Sequence, residues 1–73
     1  MSNDIGFSLE GSEYIELKNL LKVTGLCETG GEAKSVIEEG LVSVDGVVDK
    51  RKALKVKSGQ VVEFQANKVL VSP

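Results

Sequence analysis

Five cations fall within eight residues between positions 50 and 57: Lys50, Arg51, Lys52, Lys55 and Lys57. Like charges crowded in this way suit a polyanion, because phosphate neutralises their repulsion and releases condensed counterions. A solvated strand face, partly balanced by Asp45 and Asp49, is the blander reading of the same run. The charge distribution favours binding. Residues 1–49 hold Lys18, Lys22 and Lys34 against ten acids, a net −7. Residues 50–73 hold six cations against Glu63 alone, a net +5. The formal charge of −2 hides this split, and local potential decides what a surface attracts.

A second anion-binding signal stands at Thr29-Gly30-Gly31-Glu32. The pattern is a capping box, with Thr29 as N-cap and Glu32 reaching back to its backbone N–H. The two glycines would expose backbone N–H groups at the positive end of a helix, where an anion binds well. Taken alone, they read first as a loop that needs flexible backbone. Lys34 projects from the next turn, and an i,i+4 pair with Glu38 is its bland role. Catalysis has little to work with. There is no histidine for acid–base work at neutral pH, and Cys27 is a lone thiol without a basic partner. Glu38 and Glu39 are neighbours in sequence and diverge on a helix. The chain reads as a non-enzyme, with no cofactor expected.

Seventy-three residues make one domain, 1–73, with a core only marginally able to offset chain entropy. A single cysteine permits no internal disulfide and no zinc site of the Cys/His kinds, and it suits a reducing compartment. The first residues are polar and acidic, unlike a signal peptide, and no apolar run approaches the ~20 residues of a membrane helix. A cytoplasmic protein is expected.

The elements that must position these residues follow from periodicity. Ile5, Phe7 and Leu9 alternate within residues 1–11, which suggests an edge strand; a frayed terminus is the competing reading. Ser12 is a plausible N-cap for a helix running to about Thr24, with Gly25 as its stop. Tyr14, Leu17, Leu20 and Leu21 then share a core stripe, and Lys18 and Lys22 lie on the polar side. Leu26 to Glu28 is a short connector, with Cys27 half-buried in it. The second helix turns Ala33, Val36 and Ile37 inward and ends at Gly40, leaving Glu38 and Glu39 at the unfavourable end of its dipole. Leu41 to Val44 alternate as a strand. Asp45-Gly46 signals a type I′ hairpin turn, and Val47-Val48 return from it. Leu54 and Val56 alternate with Lys55 and Lys57, Gly59-Gln60 turns, and Val61 to Phe64 form a strand. Ala66-Asn67 is a candidate turn before a last strand over Lys68 to Val71. The fold class is α+β: two antiparallel helices ahead of a small, mostly antiparallel sheet. Such packing would bring Lys22 near Gly30, Gly31 and Lys34, and a hairpin on the same side would add the basic cluster.

Leu20-Leu21-Lys22, Gly25, Thr29-Gly30-Gly31-Glu32-Ala33-Lys34, Ile37, Gly40, Val42 and Val44-Asp45-Gly46 stand in a familiar order, continued by Arg51 and Gly59-Gln60-Val61-Val62. Over residues 13–64 the chain resembles the RNA-binding domain named after ribosomal small-subunit protein S-four, whose core is the alpha-L motif. Its nearest likeness is to short stand-alone bacterial members. The resemblance implies binding to structured RNA, such as ribosomal or transfer RNA, by phosphate and shape. It implies contacts from Lys22, Thr29, Gly30, Gly31, Lys34, Lys50, Arg51, Lys52, Lys55 and Lys57. The chain departs from the family at Gly30, where many members carry a basic residue, and at Asp45, where many carry Asn. With Tyr14 and Phe64 assigned to the core, few aromatics remain to stack on bases. The rival reading is a protein adaptor of beta-grasp type, since Val44-Asp45-Gly46 and Gly59-Gln60-Val61-Val62 also resemble small sulfur carriers. Those end in a reactive Gly-Gly, and this chain ends Val71-Ser72-Pro73.

Overall fold

The chain's two ends lie side by side, so the N-terminal alternation does form an edge strand. The computed structural model describes residues 3–73; Met1 and Ser2, included in the expected terminal strand, lie outside them. Strand β1 (Asn3–Ser8) pairs parallel with β7 (Asn67–Ser72), Ile5 opposite Val69 and Phe7 opposite Val71. Beyond the ladder, the Leu9 N–H donates to the Ser72 carbonyl at 2.9 Å. A parallel partner requires a long connection, and here nearly the whole chain supplies it.

The remaining strands of the main sheet are antiparallel: β3 (Val42–Val44), β4 (Val47–Val48) and β6 (Val61–Phe64), in the order β1-β7-β6-β3-β4. Because side chains alternate along a strand, Val42 and Val44, Val62 and Phe64, and Val69 and Val71 all bury on one face. Asp45 and Gly46 have φ of 53° and 83°, both positive, as the type I′ turn requires. The last hairpin turns at Gln65-Ala66, one residue earlier than the sequence suggests, and Asn67 already belongs to β7. Gln65 takes the left-handed conformation there, with φ of 56°.

Helices α1 (Leu17–Val23) and α2 (Gly30–Glu38) pack on each other and supply Leu17, Leu20, Leu21, Ala33 and Ile37 to the core. The start of α1 is the main correction to the sequence reading. Ser12 does not cap it. Residues 15–16 instead form a short strand, β2 (Ile15–Glu16), antiparallel to β5 (Lys55–Val56). Pairing with β5 outcompetes another helical turn because Ile15 is β-branched and its partner Val56 is fully buried. Tyr14 consequently leaves the core stripe and stands 40% exposed.

Glu16 occupies the N-cap of α1 without a side-chain cap bond. The exposed helix-start N–H groups find carbonyls instead: Leu17 donates to Leu54 at 2.9 Å and Lys18 to Lys52 at 3.1 Å. The basic loop is thereby fastened to the start of α1. At the other end Gly25, with φ of 81°, follows the helix as the expected stop. Cys27 is buried rather than half-buried, 1% exposed. Burial, then the nearby Glu32 carboxylate, pushes its thiol pKa up, so it holds its proton and acts as a small apolar residue.

Candidate functional site

Lys50, Arg51, Lys52, Lys55 and Lys57 line one open groove with Ala53 and Leu54, with a volume of about 670 Å³. The groove follows from the chain's course. β4 ends at Val48, the chain turns through residues 49–54, and β5 then pairs with β2. Val56 anchors this passage in the core while Lys55 and Lys57 stay exposed on either side of it. Alternation along a single strand therefore sorts apolar from basic residues.

Two acids temper the cluster. The Asp49 carboxylate accepts from the Arg51 backbone N–H at 2.9 Å, from Nε at 3.0 Å and from a terminal guanidinium nitrogen at 2.7 Å. Lys52 Nζ reaches Glu38 Oε2 at 3.5 Å. That contact gives Glu38 a local partner at the end of α2, one that is not Lys34. Arg51 is 72% exposed although Asp49 is only 16%, and Lys52 and Glu38 are both open to solvent, so the pairs contribute little to stability. The fork-on-carboxylate geometry at Arg51 also matches the way a guanidinium takes a phosphate.

The Arg51 guanidinium holds the Asp49 carboxyl below the usual carboxylate range, chiefly through the side-chain hydrogen bonds and opposed by slight burial. A depressed folded-state pKa stabilises the fold above the ordinary carboxylate pKa, and that contribution is lost as pH falls through the folded value. We expect the Asp49 side chain, followed by NMR, to titrate below the ordinary value of 3.8. In Arg51→Gln its midpoint should rise back towards that value. An Asp49 midpoint that ignores the substitution would show the pair to be absent in solution.

Asp45 plays a different part from the one its position suggests. Its carboxylate accepts from the Val61 N–H at 3.0 Å and from Gln60 Nε2 at 3.2 Å. The negative charge at the hairpin tip is thus committed to tying the tip to the start of β6.

The start of α2 forms a second group. Thr29 is its N-cap, with Oγ1 accepting from the Glu32 N–H at 3.1 Å. The Glu32 carboxylate reaches back one residue further than the capping-box reading has it, to the Glu28 N–H at 3.2 Å. Gly30 and Gly31 have no positive φ, and a Cβ at Gly30 would meet nothing within 4 Å. The protein's own packing and backbone therefore give no reason for glycine here. An open approach to the first helical N–H groups is what the two residues provide.

The two groups do not merge as the sequence reading expects. Lys52 contacts the end of α2 and the start of α1. Lys22, Thr29, Gly30 and Gly31 stand at the other ends of those helices, and Lys34 lies midway along α2. Eight residues of helix at 1.5 Å each put roughly 12 Å between Gly30 and Glu38. Two features escape periodicity altogether: the exposure of Tyr14 and the pairing of Glu38 with Lys52. A strand of two residues gives too few positions to show alternation, and the acid and the base are 14 residues apart in sequence.

Among the described residues, no three His, Cys, Asp or Glu side chains gather where a metal ion could sit. No helix among them is long and apolar enough to cross a membrane.

Comparison with known proteins bears on the whole architecture. The family model of the S4 domain matches residues 7–72. YbcJ of Escherichia coli strain K12 is 46% identical over 65 residues, which is 89% of this chain and 93% of that protein. YbcJ of Shigella flexneri matches with the same identity and coverage. A tyrosine–tRNA ligase of Ralstonia nicotianae is 46% identical over 48 residues, 66% of this chain but only 12% of the ligase. The solution structure of YbcJ from E. coli, reported to reveal an alpha-L motif involved in RNA-binding, superposes with a TM-score of 0.76 at 45% identity. That match covers 100% of this chain and 92% of the other.

Proposed function

Because this chain belongs to the S4-domain family, we propose that it binds structured RNA, with ribosomal or transfer RNA as the target class. In this reading it is a cytoplasmic binding protein and not an enzyme. The observation that carries the proposal is the groove, in which five of seven lining residues are cationic although the chain as a whole is acidic. The likeness to YbcJ, with its alpha-L motif involved in RNA-binding, supports the same conclusion.

Lys50, Arg51, Lys52, Lys55 and Lys57 would take phosphates along the groove, and Lys22, Thr29, Gly30, Gly31 and Lys34 would take another at the start of α2. Two cationic regions, one at the groove and one towards the start of α2, suit a folded RNA that presents two backbone stretches at once. Phosphate competes with Asp49 for Arg51 and with Glu38 for Lys52, so isolated phosphates are disfavoured against a multiply charged partner.

A titration of labelled hairpin RNA and matched duplex DNA across a salt series tests the proposal. RNA should bind more tightly than DNA, with log K falling linearly in log salt by roughly 0.7–0.9 for each phosphate neutralised. Equal, weak binding of both at low salt would overturn it and leave a protein adaptor as the better account.

A further inference from the structure

Tyr14 is a surface residue beside the cationic groove, where periodicity alone would bury it. Lys55 Nζ lies over its ring, 5.0 Å from the centroid. The other two aromatics are withdrawn, Phe64 buried and Phe7 half-buried, so Tyr14 is the ring that meets solvent most openly. It also marks a change of electrostatic character. Lys55 belongs to the basic groove, while Tyr14 lines a shallow depression with Ser12, Glu13, Ile15, Glu16 and Asn19. That depression holds two carboxylates and no cation.

Phosphate is drawn to the groove and repelled from the depression. A carboxylate can only accept hydrogen bonds, so the depression suits an uncharged group that donates them. A nucleotide carries both parts: an anionic phosphate and a flat base with N–H donors on its edge. An aromatic ring at the junction can take the base by stacking once the ammonium over its face swings aside to the adjoining phosphate.

We propose that Tyr14 is a stacking platform for one unpaired nucleobase of the bound RNA, with Lys55 holding the adjoining phosphate. This rests on the RNA-binding reading above and narrows it. The ligand must offer a base outside a continuous duplex, in a loop, a bulge or an unpaired end, because paired bases keep their faces inside the stack. Stacking of this kind is sequence-tolerant, since every base has a π-face.

Tyr14 is the only tyrosine and the chain has no tryptophan, so intrinsic tyrosine fluorescence reports on this ring alone. The probes are an RNA hairpin with an unpaired loop and a continuous RNA duplex of equal length. Binding is followed separately by anisotropy of a label on the RNA. The hairpin should quench the tyrosine signal and the duplex should leave it near its free value. Tyr14→Leu should bind the hairpin on the order of tenfold more weakly and the duplex as before, whereas Tyr14→Phe, which keeps the ring, should retain hairpin affinity. Hairpin binding with an unquenched tyrosine, or with Tyr14→Leu equal to wild type, would overturn the stacking role and leave RNA binding standing. No hairpin binding by anisotropy would overturn both.

Discussion

Replacing Arg51, Lys52 and Lys55 together with Ala should weaken RNA binding on the order of 10- to 100-fold near physiological salt. The same variant should lower the steepness of the salt dependence by about two to three in log–log slope, as expected for three lost phosphate contacts. These side chains can be removed without harm to the fold. Arg51 is 72% and Lys52 42% exposed, and neither they nor Lys55 contribute to the core. What positions the loop is backbone: the Lys52 and Leu54 carbonyls accept from the start of α1, and those bonds survive the substitutions. The variant should therefore keep its circular dichroism spectrum and its urea midpoint to within about 0.5 M. Loss of affinity with an unchanged salt slope would show that these residues act on shape and not on phosphate. Unchanged affinity in the folded variant would move the interface elsewhere.

Leu20→Ala should have the largest effect on stability. Leu20 is fully buried in the middle of α1, within the one cluster that joins both helices to the sheet. Truncation removes its transfer free energy and leaves a cavity, together costing about 3 kcal/mol. For 73 residues the whole stability is only about 4–11 kcal/mol, so the variant should lose roughly between a quarter and three quarters of it. With a denaturant slope of about 1 kcal/mol per molar, the urea midpoint should fall by about 3 M. Val23→Ala three residues on, at a side chain 59% exposed, should change stability by no more than about 0.5 kcal/mol. A Leu20→Ala midpoint within 1 M of wild type would mean that the helix pair is not part of the cooperative core. RNA affinity measured on the folded fraction should be unaffected, which separates this variant from the groove substitutions.

The same contrast shows how far local information reaches. The hairpin at Asp45-Gly46, the Thr29 cap and the glycine stops at Gly25 and Gly40 were all legible, because each depends on a few adjacent residues and on φ values that few residue types adopt. Burial of Leu17, Leu20, Leu21, Ala33 and Ile37 followed from periodicity, since a helix long enough to repeat declares its inner face. The basic cluster was equally plain, being contiguous in sequence.

Tertiary structure decided the rest. Ser12 to Glu16 could have continued a helix by its own preferences, but Val56 offers Ile15 a strand partner 41 positions away, and that pairing moves Tyr14 out of the core. The parallel union of β1 with β7 joins residues more than 60 positions apart. Glu38 is unfavourable at a helix end until Lys52 is folded against it. The sequence by itself thus determined most of the elements, the inner faces of the helices and where positive charge concentrates, because these depend on neighbours within a turn or two. Only the folded chain decided which elements pair, which acids meet which bases and which aromatic faces solvent. Those outcomes are set by competition between distant partners, and no local pattern carries them.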